Sequence, residues 1–257
     1  MTPREQYVAF MTILRKEIKR YLRIWTQTLL PSAITMSLYF VIFGTLIGSR
    51  IGEMGGFSYM QFVVPGLIMM AIVTNSYANV VSSFFGSKFN HSVEELLVSP
   101  TPNYVILMGY VVGGVTRGLL VAVVVTLVSL FFTQMQIHSY PVVLLTVLMT
   151  STLFALGGFI NAVFANSFDD ISIIPTFVLT PLIYLGGVFY SMDLLPEFWA
   201  NVSKLNPLVY VVNAFRFGVL GVSDVSLGFA LGMIGVFTLV AFVFSMHLLN
   251  SGTRLRQ

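Results

Sequence analysis

The sequence predicts an all-α polytopic membrane protein with six transmembrane helices, an N-terminal interfacial amphipathic helix, and outer-side re-entrant helices between spans five and six. Three observations carry this. First, 56% of the 257 residues are hydrophobic and only 9% charged, where a soluble domain carries about a quarter charged residues. Second, apolar runs recur at the roughly 20-residue length that crosses about 30 Å of hydrocarbon. Third, the net charge of +3 is concentrated, with six of the 13 Lys and Arg within the first 23 positions. Such a composition argues against a water-soluble enzyme, a disordered chain and a nucleic-acid binder. The chain has no cysteine, which removes disulfides, thiol catalysis and thiolate metal sites. A cleavable signal peptide is not expected, because the first apolar run is too long and lacks a small-residue cleavage pattern. Residues 1–257 read as a single transmembrane domain.

Residues 4–25 form the interfacial helix. Tyr7, Met11, Leu14, Ile18, Tyr21 and Trp25 recur at steps of three and four, while Arg15, Lys19 and Arg23 stack opposite them with Lys16 and Arg20 alongside. One oily and one cationic face suit a helix lying along lipid headgroups. The alternative is an amphipathic helix packed on a soluble partner. Spans follow at about 28–48, 60–85, 106–132, 141–164, 171–190 and 226–249. Asn75 and Asn79, with Ser82 or Ser83, form a polar stripe on the second span, read as packing glue or as a solute-facing surface. Residues 194–220 fit no simple loop. Leu208–Leu220 is apolar except for Asn213 and Arg216, too short to span and of re-entrant length.

Positive-inside counting sets the topology. With six spans, Arg4, Arg15, Lys16, Lys19, Arg20, Arg23, Lys88, Arg254 and Arg256 share one side, against Arg50, Lys204 and Arg216 on the other. Both termini are therefore expected in the cytoplasm. A seventh span would strand Arg254 and Arg256 outside. Every Asp and Glu falls outside the assigned spans, leaving no obvious handle for an ion gradient. Arg117 is the one Lys or Arg inside a span, and either snorkels to headgroups or serves a helix interface or pathway. Gly109, Gly113, Gly114 and Gly118, and Gly228 with Gly232, supply small-xxx-small pairs for close helix contact. No HExxH, GxxxxGK[ST] or convincing GxSxG occurs, and His91, His138 and His247 are isolated. No catalytic, cofactor-binding or metal site is expected.

The strongest local signal is residues 92–99. Ser92 with Glu95 has the spacing of a capping box, and Pro100 and Pro102 end the helix after about two turns. The acids Glu94 and Glu95 sit at its favourable N-terminal end, and Leu96, Leu97 and Val98 are left to dock. A capped turn without a partner is the alternative.

Three stretches together resemble the membrane subunits of ABC transporters of the type-2 export class. These are Lys88-Phe89 followed by Glu94-Glu95-Leu96-Leu97-Val98-Ser99-Pro100; Phe168-Asp169-Asp170 followed by the run from Pro175 to Tyr190; and Leu205-Asn206-Pro207-Leu208 followed by Phe215-Arg216. The resemblance implies a homodimer joined by two copies of an ABC ATPase subunit in a bacterial inner membrane, with ATP and Mg bound by that separate partner. It implies that Phe89, Glu94, Glu95, Leu96 and Leu97 belong to a first coupling helix, and Asn166, Ser167, Phe168, Asp169 and Asp170 to a second cytoplasmic contact. Asn75, Asn79, Arg117, Asn213 and Arg216 remain candidates for a pathway or dimer interface. The expected activity is export of an amphipathic, lipid-linked, glycan or drug-like cargo. An ion-coupled secondary carrier and a non-transporting membrane scaffold are the alternatives. Membrane lipids are expected partners; nucleic acid is not.

Overall fold

In the computed structural model, residues 1–252 are described. The basic tail 253–257, with Arg254 and Arg256 of the charge count, lies outside the described residues. The chain opens with α1 (Pro3–Arg23), whose first turn is closed by a capping box between Thr2 and Glu5. After a bend at Ile24, α2 (Trp25–Ile51) runs on with a π-helical stretch at Phe40–Ile47. A two-stranded hairpin, β1 (Glu53–Met54) against β2 (Phe57–Ser58), leads into α3 (Tyr59–Phe89), which opens with a Ser58–Gln61 capping box. Next come the short α4 (Ser92–Val98), then α5 (Asn103–Ser129) and α6 (Tyr140–Phe164). The C-terminal part holds α7 (Asp170–Tyr184), α8 (Glu197–Ser203), α9 (Pro207–Leu220) and α10 (Leu227–Ser251).

Five of these helices, α2, α3, α5, α6 and α10, are long and apolar enough to cross a membrane. The fold is thus all-α and polytopic, with α3 at its centre. Of the most apolar stretch of α3, 83% is buried, against 11% for α2 and α10, which present their apolar faces outward. Glycine permits the close central packing. A Cβ on Gly158 of α6 would stand 2.4 Å from the Tyr77 carbonyl oxygen of α3, so only a hydrogen fits there.

The expected fifth span, 171–190, departs from expectation. Its helix stops at Tyr184, and 15 residues at about 1.5 Å each reach only about 22 Å. Pro175 has no N–H to give, and a π turn follows, in which Thr180 N–H and Thr180 Oγ1 both reach the Pro175 carbonyl. The helix ends at Gly186-Gly187, where Gly187 takes φ +74°. The chain begins this passage beside Asn161, whose Nδ2 donates to the Ile171 carbonyl at 3.2 Å. It finishes beside the start of α3, where Tyr59 Oη donates to the Phe189 carbonyl at 3.2 Å.

Region 194–220 contains the expected pair of short helices, with different environments. α8 keeps Phe198 and Trp199 exposed, whereas α9 is buried along nearly its whole length. α9 begins near Leu182, whose carbonyl accepts from Asn206 Nδ2 at 2.7 Å. It ends beside the α5–α6 loop, where Ser139 N–H donates to the Gly218 carbonyl at 2.8 Å.

Candidate functional site: a two-loop face and a buried polar seam

At one end of the bundle the turn after α3 and the turn after α6 come together. Phe89 and Phe168 meet in a tilted pair with centroids 5.0 Å apart, and Phe85 contacts Phe168 edge-on at 5.0 Å. Phe89 and Phe168 are 55% and 54% exposed, and Val98 is 86% exposed, so an apolar patch faces outward across two segments distant in sequence. Lys88 ties the segments together, donating from Nζ to the carbonyls of Val163 and Ala165, both at 2.8 Å. A cavity of about 300 Å³ lies between them, lined by Phe85, Lys88, Phe89, His91, Ala165 and Asn166.

The Asn166–Asp170 turn is locked by its own acid. Asp170 Oδ2 accepts from the Asn166 N–H at 2.8 Å and the Ser167 N–H at 3.1 Å, and Ser167 Oγ accepts from the Asp170 N–H. The Asn166 backbone donor first, then the Ser167 side chain, hold the Asp170 carboxyl below its ordinary range. Asp169 stays exposed.

Two expectations for α4 are corrected. Ser92 is not its N-cap: His91 takes that place with φ +58° and no side-chain cap bond, while Ser92 Oγ donates back to the Ser87 carbonyl at 3.0 Å. The left-handed turn at His91 places Ser92 already inside the helix, too late to cap it. Nor are Leu96 and Leu97 free to dock. Both are half-buried against the apolar core, and Val98 projects instead. Glu94 pairs with His91 Nδ1 at 3.0 Å, and Glu95 is exposed.

The second feature is interior. The cationic side of α1 does not all face outward as expected. Arg15, Lys16, Lys19 and Arg23 are exposed, as is Trp25, but Arg20 is half-buried, and both it and the tip of Lys16 reach across to α3. Arg20 Nη2 donates to Asn79 Oδ1 at 2.9 Å, the Asn79 carbonyl at 2.8 Å and Glu17 Oε2 at 3.3 Å, while Nη1 meets Ser82 Oγ at 3.3 Å. Glu17, fully buried, accepts from Ser83 Oγ. Farther along, Arg117 Nη2 donates to Asn75 Oδ1 at 2.9 Å and the Thr28 carbonyl at 3.3 Å; Asn75 Nδ2 donates to Ser32 Oγ at 2.9 Å. Arg117 is therefore held at a helix interface rather than snorkelling. Asn75 and Asn79 are both buried with partners from other helices.

A third polar knot closes the opposite end. Arg216 is fully buried, with Cζ 3.8 Å above the Phe62 ring and Nη2 donating to the Gly187 carbonyl at 2.6 Å. Asp224 lies 4.0 Å from Arg216 Nη1 and accepts from Ser191 Oγ at 2.8 Å and the Met192 N–H at 2.7 Å. Asn213 Oδ1 accepts the Asp224 N–H at 2.9 Å. Asn213 and Arg216 thus pin α9 to the turns on either side of it.

Residues 8–220 match the family described as ABC-2 type transporter. The chain belongs to that family. It is 58% identical over 250 residues to "Inner membrane transport permease YadH" of Escherichia coli (strain K12), a match covering 97% of this chain and 98% of the relative. It is 22% identical over 244 residues to "Nodulation protein J" of Neorhizobium galegae, covering 94% and 92%. The 8–220 match takes in most of α1, the two-loop face and α9, while Asp224 of the third knot lies just beyond it.

Reading the permease from sequence missed Glu17, Ser87, Tyr110 and Asp224. For Glu17 a signal exists. Ile13, Glu17 and Tyr21 fall at i, i+4 and i+8, a stripe that opposes Gly109 and Gly113. Among the described residues no group of three or more His, Cys, Asp or Glu could hold a metal ion.

Proposed function

We propose that the chain is the membrane subunit of an ATP-driven exporter, working as two copies with a separate ABC ATPase subunit that binds ATP and Mg. The carrying observation is the joined pair Phe89 and Phe168, an apolar surface built from two turns at one end of a membrane bundle, exposed among the described residues, with Val98 exposed on the neighbouring α4. Exposed apolar patches rimmed by polar groups suit protein partners. His91, Glu94, Glu95, Asn166 and Asp169 supply that rim. On this reading ATP-driven closure of the partner pushes α4 and the Asn166–Asp170 turn, and the movement opens a path between two permease copies.

The same proposal gives the topology. The passage from Ile171 to Tyr190 is the fifth crossing, completed past α7 by the turn that packs on α3. α8 and α9 dip from the outer side and return, and both termini are cytoplasmic. Exposed Arg15, Lys19, Arg23 and Trp25 keep α1 against the headgroups. The membrane is a bacterial inner membrane, as the name of the YadH relative says of that protein. Cargo of amphipathic, lipid-linked, glycan or drug-like character fits a membrane-embedded path.

Co-expression with a candidate ABC ATPase subunit tests the proposal. Intact permease should co-purify with it and export in vesicles should require ATP; Phe168→Asp should abolish both. Absence of association, with export unaffected by Glu94/Glu95 or Phe89/Phe168 substitutions, overturns it. The buried Glu17 favours a second reading, an ion-coupled carrier, since a carboxylate inside the bundle is a handle for protons. Gradient-driven uptake by vesicles without ATP would select that reading.

A further inference from the structure

Polar side chains form a seam joining α1 and α4 to the central helix α3. On α3 it consists of Asn75, Asn79, Ser83 and Ser87, spaced at four so that they share one face. At the α4 end, the Ser87 carbonyl accepts from Ser92 Oγ at 3.0 Å, and Ser87 Oγ accepts from Lys16 Nζ at 3.4 Å and Tyr110 Oη at 3.1 Å. One turn inward Glu17 takes Ser83 Oγ, and one turn further Arg20 holds Asn79. Among the described residues Glu17 is the one buried carboxylate.

A helix resting on headgroups has no use for such a group. Apolar contact alone would hold it against the bundle, but that attraction has no direction and tolerates sliding and rotation. Desolvating a carboxylate is costly unless its hydrogen bonds are supplied, and here they come from two elements, α3 through Ser83 and α1 itself through Arg20. The bond holds only at one register of α1 on α3. Gly113 admits it: a Cβ there would stand 2.7 Å from Glu17 Cβ.

We propose that Glu17 is a positioning residue that fastens α1 to α3, so that α1, α3 and α4 move as one rigid unit when α4 is pushed. The pushing rests on the ATPase-coupled reading above; the fastening does not.

The absence of cysteine allows two spin labels to be placed cleanly, at Lys19→Cys on α1 and Val98→Cys on α4. Double electron–electron resonance on the permease alone, in lipid nanodiscs, reads their distance distribution. The expected result is one narrow peak in the labelled parent, at least twofold broader in Glu17→Gln, which keeps shape and loses charge. Glu17→Asp should restore most of the narrowness, and Thr12→Gln, at an exposed position of α1 whose hydroxyl bonds only the Val8 carbonyl, should leave it unchanged. A carboxylate serving as bulk packing predicts Glu17→Gln as narrow as the parent, and that result overturns the proposal. If Glu17→Gln does not reach the membrane folded, Ser83→Ala is read in its place, and an unchanged width there overturns it equally. A failed width test condemns the fastening, whereas failed co-purification with the ATPase condemns the functional reading.

Discussion

Gly158→Ala and Gly232→Ala make the same chemical change in two long helices and should move stability in opposite directions. At Gly158 the new Cβ would lie 2.4 Å from the Tyr77 carbonyl oxygen and 3.2 Å from its carbon. Both are backbone atoms of α3, so no side chain can swing aside. Restoring ordinary contact requires α3 and α6 to part by about 1 Å, which forfeits a quarter to a half of the dispersion energy of the neighbouring atoms. Overpacking costs about 1–3 kcal/mol, and a clash with backbone that cannot swing aside belongs in the upper part of that range, about 2–3 kcal/mol, offset by about 1 kcal/mol of better helix propensity. The net expectation is a loss of about 1–2 kcal/mol, or roughly 2–8 °C in Tm for a chain of this size. At Gly232 nothing lies within 4 Å of the new Cβ, so only the propensity gain remains. Thermal unfolding of the two variants in detergent, under monomeric conditions, measures the difference. A Gly158→Ala protein as stable as its parent would refute the claim that backbone approach sets the α3–α6 packing.

Asp224→Ala should destabilise by about 3–5 kcal/mol, because it strands the buried Arg216 charge and frees the Met192 N–H and Ser191 hydroxyl; Asp224→Asn, which keeps an acceptor, should lose clearly less in the same unfolding assay. Lys88→Met removes two charge-assisted bonds to the end of α6, each worth about 1.5–3 kcal/mol, and hydrogen exchange in the last turn of α6 should accelerate at least tenfold. The Asp170 carboxyl is held below its ordinary value of 3.8 by the Asn166 donor, so its contribution to the 166–170 turn is complete at neutral pH. That contribution falls away only as pH drops below about 4 through the depressed value. The protection factor of the amides in this turn, exchange corrected for its intrinsic pH dependence, should fall in acid, whereas Asp170→Asn should show low protection already at pH 7 and little further change in acid.

Much of the architecture is legible locally. Apolar run length and the proline and glycine signals at 100–102 and 186–187 are properties of neighbouring residues, and they place α2, α3, α5, α6 and α10 within a few residues of their observed ends. The chain length of α7 is where local reading overreached, because an apolar run through Val188 and Phe189 does not reveal that Gly186-Gly187 has already turned the chain back against α3. The capping box at Ser92 failed for a related reason: a left-handed His91 moved the helix start by one residue, and no spacing rule registers that. The site is less legible than the fold. Phe89 and Phe168 are far apart in sequence, and what brings them together is the packing of α3 on α6.

Composition and periodicity by themselves determined that this chain is a bundle of membrane-length helices with a short helix between two of them, because hydrophobic length and helix-breaking residues act over one or two turns. Tertiary structure alone decided which polar groups the bundle consumes. Whether Glu17 and Arg20 meet water or meet Ser83 and Asn79 depends on the rotation of α1 about its axis and on how closely glycine lets helices approach. Both are fixed only when the helices pack.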